Sequence, residues 1–195
     1  MSAERVQQAI QLIDEINLCD PVSENVNGTM QPKEWLYGIR MSECLAEFAP
    51  DASEALQIAA RAQHIKRWSI PRVDYPLGRE GYNQWRQELG RLHATEAAKI
   101  AQQVGCSAAD VQAIGRMLRK EKLKRDPEVQ ALEDVICLVF LKYYFTAFTD
   151  KHSPEKLLVI VKKTWAKMSE KGHSAALNLP FTAAQQALFA QALHS

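Results

Sequence analysis

The chain has 195 residues, 47% of them hydrophobic, enough to bury a full core and near the size of one domain or a tightly fused pair. Its formal net charge of +1 argues against a non-specific nucleic-acid coat, which draws its affinity from many phosphate contacts. The apolar run 135–141 stops at Lys142, far short of the ~20 residues that cross a bilayer, and MSAERVQQAI has no apolar signal core, so a cytoplasmic protein with no membrane partner is expected.

In chain order, Val6, Ile10, Ile13 and Leu18 predict a helix over 3–18 that ends before Asp20 and Pro21. A turn-rich linker is expected through Pro32, without an Asn-Gly hairpin. A second helix follows over 32–48. Asp51 and Glu54 read as a capping box that starts a third helix carrying Leu56, Ile58, Ala59, Ala62 and Ile65. That helix holds His64 in its middle and stops before Pro71. Pro71, Pro76 and Gly78 make 69–78 an irregular loop bearing Arg72 and Tyr75.

A helix over 81–104 closes at Gly105. Ser107 with Asp110 opens the next, which runs into RMLRKEKLKR, and Asp126-Pro127 opens another. Residues 135–148 are apolar almost all round, except Lys142 and Thr146, as befits the middle of a bundle. Ser153-Pro154 starts a helix to about 171, and Thr182 caps a last one through 193. The class predicted is all-α, a single-domain helical bundle over 1–195. Cys19, Cys44, Cys106 and Cys137 form no CxxC pair and read as reduced thiols.

The small net charge hides an asymmetry. Residues 1–60 hold three basic and ten acidic side chains, residues 61–125 hold fourteen and six, and residues 126–195 hold seven of each. The basic middle is what a phosphate-bearing ligand would seek. Alternatively, the acidic N-terminal helices simply pack against it. Within that middle, His64 lies among apolar neighbours, His93 lies between Arg86 and Glu96 on its helix, and Asp134 enters the most apolar helix. Two imidazoles and a carboxylate from three helices can hold a divalent metal or act as acid and base. Taken singly, each histidine also reads as a hydrogen-bonded core residue.

Their order adds to this. A His, a helix reading L-H-A and a capped helix reading D-P-E-V-Q-A-L-E-D-V-I-C-L together resemble the HD-domain phosphohydrolases. The resemblance spans about 50–150 and is most specific over 126–138. It implies an HD-like core over 50–150 with flanking helices in 1–49 and 151–195. It also implies His64 as the first His, His93 as the His of the His-Asp pair and Asp134 as the distal Asp, the three being candidate ligands of a divalent metal. Over 53–171 the chain is similar, too, to an uncharacterised family of HD-like helical proteins, catalogued as a domain of unknown function.

Two departures redirect the expectation. Ala94 stands where the HD pattern has Asp, so a bridging carboxylate is missing, and Glu96 lies too far round the helix to replace it. Where two-metal relatives carry histidines, this chain reads Leu118-Arg119-Lys120-Glu121-Lys122. Ammonium groups supply phosphate-binding charge without an ion, so the reading is a degenerate HD-like protein that binds, and in an enzymatic version hydrolyses, a phosphate-bearing small molecule such as a nucleotide. Arg61, Arg67, Trp68, Arg72, Tyr75, Arg79, Arg86, Lys120 and Lys122 are its candidate ligand contacts, the aromatic ones by stacking on a base. Arg61, His64 and Trp68 are expected on one helical face, with Arg86 and His93 on another. The competing reading is a non-enzymatic nucleotide sensor or RNA-associated module.

Overall fold

Val6, Ala9 and Ile13 recur at three- and four-residue spacing on α1 (Ser2–Asn17) and are buried, the inward stripe of an amphipathic helix. The structure, a computed structural model, describes residues 2–194. After α1, the carboxylate of Asp20 accepts from Val22 N and from Glu34 N, each at 2.9 Å, and so ties the chain to the start of α2 (Lys33–Phe48).

The stretch between is not the plain linker expected. It is a hairpin, β1 (Ser23–Val26) antiparallel to β2 (Thr29–Pro32), with Val26 opposite Thr29. Asn27 and Gly28 make its two-residue turn at φ 51° and 86°, the pair of left-handed conformations that Asn-Gly meets at least cost. Its side chains are exposed or half-buried on both strands, so no hydrophobic alternation marks it in the sequence.

The helix α3 (Glu54–Arg61) is the hub of this part of the chain. Ser53 rather than Asp51 caps it, its Oγ accepting from Leu56 N at 3.1 Å. Ala55, Leu56, Ile58, Ala59 and Ala60 are buried, and the small alanines let α1, α2 and α5 (Ala108–Leu118) close on one short helix. Each large side chain buried there contributes about 1.5–3 kcal/mol.

α3 then ends much earlier than expected. Ile65 N bonds to Ala62 O and Arg67 N to His64 O in tight turns, while Lys66 takes φ 56° with its N–H held by Asn17 Oδ1 at 3.0 Å. His64 therefore sits in a turn rather than mid-helix, and it shares no helical face with Arg61 and Trp68. Two single-turn 3₁₀ segments, Arg67–Ser69 and Arg72–Asp74, lead into α4 (Gly78–Gln103), which packs on α5. Ser107 Oγ accepts from Asp110 N at 3.1 Å to start α5, as the sequence predicts. At α6 (Pro127–Val139), Asp126 Oδ1 accepts from Glu128 N and Val129 N at 3.0 and 3.3 Å.

The described residues fall into two compact units divided after Leu132. In the second, the end of α6 runs through a π turn (Phe140–Tyr144) into α7 (Phe145–Thr149). Phe145 meets Phe140, Phe181 and Phe189 edge-on at 5.8, 6.2 and 5.6 Å. α8 (Pro154–Lys167) packs on α10 (Ala183–His194). Thr182 and Gln185 start α10 as a capping box, Thr182 N to Gln185 Oε1 at 3.0 Å and Gln185 N to Thr182 Oγ1 at 3.3 Å. α8 stops short of the expected 171 because Ser169 caps a separate helix, α9 (Glu170–Leu177).

Asp134, 1% exposed, fixes that break: its Oδ1 accepts from Ser169 N at 2.7 Å and its Oδ2 from Ser169 Oγ at 2.6 Å. Gly172 leaves the carboxylate room, since a Cβ there would lie 2.5 Å from Asp134 Oδ1 and 2.8 Å from its Cγ. Gly172→Ala is expected to remove about 2–3 kcal/mol of stability, through overpacking plus a disturbed buried hydrogen-bond pair. Urea unfolding at neutral pH measures it, and an unchanged midpoint would show that α9 shifts without cost.

The class is all-α, as predicted, with one small hairpin. Among the described residues no helix is long and apolar enough to cross a membrane. Cys44 and Cys137 are buried, Cys106 is half-buried and Cys19 exposed, and all four are free thiols.

Candidate functional site

Glu34 and Tyr37 lie one turn apart at the start of α2, so both reach the same side of the helix. Glu34 is 6% exposed; its Oε2 is 2.8 Å from His64 Nδ1 and its Oε1 3.6 Å from Arg67 Nε. The Tyr37 ring stacks on His64 at 3.7 Å and 12°. From α4, His93 brings its ring to 6.0 Å from that of His64. His93 is 3% exposed, and its Nε2 has no hydrogen-bond partner among the described residues. Two turns earlier on α4, Trp85 lies under the Arg67 guanidinium at 4.6 Å and anchors itself by donating from Nε1 to Ile70 O at 2.8 Å.

The electrostatics follow from burial and from the cations around it. Burial holds His64 well below its ordinary pKa, and Arg67, Arg86, Lys120 and Lys33 push it further the same way. His93 is held well below its own by burial, then by His64, Arg67, Arg86 and Lys120. Both imidazoles are therefore neutral at neutral pH. Burial raises Glu34, against the pull of Arg67 and Lys33. With Glu34 ionised, His64 Nδ1–H donates to it and the lone pair is left on Nε2, the arrangement by which a carboxylate orients a histidine base.

His64, His93, Arg67, Arg86 and Lys120 are thus brought to bear on one another. The carboxylate on His64 is Glu34, where the sequence pointed to Asp134; the oxygens of Asp134 are engaged with Ser169 in the second unit. Arg61 leaves the ligand set. Its Nε and Nη2 donate to Asp14 at 2.7 and 2.6 Å and its Nη1 to Ser42 Oγ at 3.3 Å, with the residue 6% exposed. Arg72 is spent on its own loop, donating to Tyr75 O and Pro76 O, each at 2.9 Å. Tyr75 and Trp68 are half-buried in the same segment, while Arg79, in the first turn of α4, and Lys122 are exposed. Glu96 pairs with Lys99 at 2.6 Å and Lys66 at 3.7 Å.

Glu34 and Tyr37 escape the sequence reading. The available signal was the acidic first block itself: the packing alternative holds for Asp14 with Arg61, and Glu34 is the member of that block that meets the histidines. A divalent metal fits poorly here. Among the described residues no three His, Cys, Asp or Glu side chains are grouped to hold one, and the charges turned on the two imidazoles from Arg67, Arg86 and Lys120 repel a cation and attract an anion.

Fold and site together define an all-α protein in which a half-buried, carboxylate-oriented histidine lies beside a buried one, with basic side chains around them. The chain belongs to the family described as Domain of unknown function (DUF4202), which matches residues 7–189. No curated protein matches it, and no solved structure does.

Proposed function

We propose that this cluster binds, and hydrolyses, a phosphate-bearing small molecule such as a nucleotide, in a degenerate HD-like protein that works without the metal of that family. One observation carries the reading: Arg67 reaches Glu34 at 3.6 Å where that carboxylate holds His64 at 2.8 Å, Arg86 and Lys120 add to the positive charge felt by both rings, and His93 keeps a buried Nε2 with no hydrogen-bond partner among the described residues. Gathering like charges costs free energy, and phosphate oxygens offset it by accepting from guanidinium and ammonium groups. His64 Nε2 takes a proton from the attacking water while Glu34 holds the ring, the bond from phosphorus to the leaving oxygen breaks as that oxygen takes the proton back from the imidazolium, and Arg67, Arg86 and Lys120 stabilise the charge that builds on the phosphoryl oxygens. Tyr82, 45% exposed and 5.8 Å from Trp85, offers a face for a base.

Ala94, in place of a carboxylate, favours the second reading, a nucleotide sensor or RNA-associated module without turnover. The test is thermal unfolding with inorganic phosphate, nucleotides and short RNA, run beside phosphate release with and without added divalent metal. Stabilisation of wild type that Arg67→Ala abolishes is expected, with turnover falling at least about 100-fold in His64→Gln while binding persists. Stabilisation without turnover sinks the hydrolase and leaves the sensor. RNA binding that weakens steeply with salt selects the RNA version. No response to any phosphate compound ends the proposal.

A further inference from the structure

The turn between α5 and α6 departs from what its residues prefer. Lys120, Lys122 and Lys124 have φ values of 57°, 61° and 72°, the left-handed region where glycine is usual and a lysine is strained. At Lys120 the backbone has a local cause. Its N–H bonds to Met117 O at 3.0 Å, and that of Glu121 reaches Arg116 O at 3.0 Å, the helix ending that glycine closes by default. The sequence thus sets a cation where glycine fits the backbone better.

The helix end that carries this cation lies against α4, close to the histidines. A Cβ at Gly90, one turn before His93 on α4, would stand 3.5 Å from Leu118 O and 3.9 Å from Arg119 Cα. The end of α5 therefore rests on α4 beside the site, and Lys120, the next residue, adds its charge to those of Arg67 and Arg86 at both His64 and His93. A ligand with one negative charge leaves much of this repulsion in place. A terminal phosphate, with nearly two charges at neutral pH, or a polyphosphate, relieves more of it.

We infer that the ligand of this site carries a terminal phosphate with two or more negative charges, and that Lys120 is the residue that selects it over a phosphodiester. The inference rests on the phosphate reading above and adds to it the substrate class and a residue that sets specificity. It predicts opposite movements from one substitution. Lys120→Gly relieves the strained backbone and raises the melting temperature by about 2–4 °C, yet loses discrimination between a nucleoside 5′-monophosphate and the matching 3′,5′-cyclic phosphate. Wild type is expected to prefer the monophosphate by about tenfold or more, and the variant to narrow that to about threefold or less, since one charge-assisted contact is gone. Lys120→Asn, which also tolerates left-handed backbone, behaves like the glycine variant, and Lys120→Arg keeps the preference.

Affinities are read from thermal shift and calorimetry at pH 7.5, with pyrophosphate and the unphosphorylated nucleoside alongside. If wild type binds both phosphates equally, or Lys120→Gly discriminates as wild type does, the role of Lys120 is overturned while the phosphate reading stands. If wild type answers to neither the nucleotides nor pyrophosphate, both fall together.

Discussion

Asp14→Ala is expected to cost about 3–5 kcal/mol of stability. The guanidinium of Arg61 is 7% exposed and forks onto Asp14 through Nε and Nη2 at 2.7 and 2.6 Å. Gly38 is part of the reason it fits, because a Cβ there would stand 3.1 Å from Arg61 O and 3.3 Å from its Cδ. Deleting the carboxylate strands the cation in a site that was shaped around the pair, with Ser42 Oγ at 3.3 Å as its remaining side-chain acceptor. Arg61→Met removes the buried charge and leaves Asp14, 22% exposed, within reach of water, so its loss should be smaller, roughly 1 kcal/mol. Equilibrium urea unfolding of the two variants measures the contrast. Should Asp14→Ala stay within about 1 kcal/mol of wild type, the Arg61 guanidinium reaches water, and Arg61 returns as a candidate anion contact.

Arg61 also shows why charge alone misleads in a sequence. It sits in the basic stretch beside Arg67, and nothing local separates the two; what separates them is which acidic residue of the first block lies opposite. Asp14, on α1, closes on Arg61 in two short hydrogen bonds, whereas Glu34, on α2, meets Arg67 at 3.6 Å and His64 at 2.8 Å. Such pairings are set by how helices pack, a long-range property that periodicity does not carry. Periodicity and caps did carry the presence of the helices, though not the cap and end of α3 or the end of α8. Ser107 and Thr182 cap where they were expected to, and Asp126 supplies the first bonds of α6.

The failures have local physical causes. The hairpin at 23–32 is hard to read in the sequence because neither face of it is buried, so Asn27-Gly28 is the signal it carries. The sequence makes the third helix read too long because Ala62 and Ile65 continue the apolar spacing. Both are buried, but in turns anchored by the Asn17 side chain from another helix. That error displaced His64 from its true setting without breaking its pairing with His93. Of the candidate site, the two histidines and the cations Arg67, Arg86 and Lys120 were legible as residue types; the carboxylate that orients His64 was assigned to Asp134, whose own environment proves to be a helix cap.

Stability of the first unit should fall as the pH drops below about 6.5. His64 and His93 are both held well below 6.5 in the folded chain, so between that value and their folded ones the unfolded chain binds the extra protons. Stability then rises with pH through this window and is fully present above it. Each proton contributes a slope of about 1.4 kcal/mol per pH unit, hence up to about 2.7 for the pair. The groups facing the rings fix the sign: Lys33 on α2, Arg67 in the 3₁₀ turn, Arg86 on α4 and Lys120 after α5 all oppose protonation, and Glu34 is the carboxylate against His64. Glu34 works the other way. Its folded pKa is raised above 4.5, so the folded chain takes up that proton first and recovers part of the loss at the acid end of the window. Urea titrations between pH 5.5 and 7.5, above the range of ordinary carboxylates, isolate the histidines. His93→Leu should remove about half of the slope. A bound phosphate should flatten it for wild type, because an anion beside the rings lifts their pKa values toward 6.5. A pH-independent midpoint across this range would mean that the two imidazoles are not buried as neutral rings, and the charge ring around them would need another explanation.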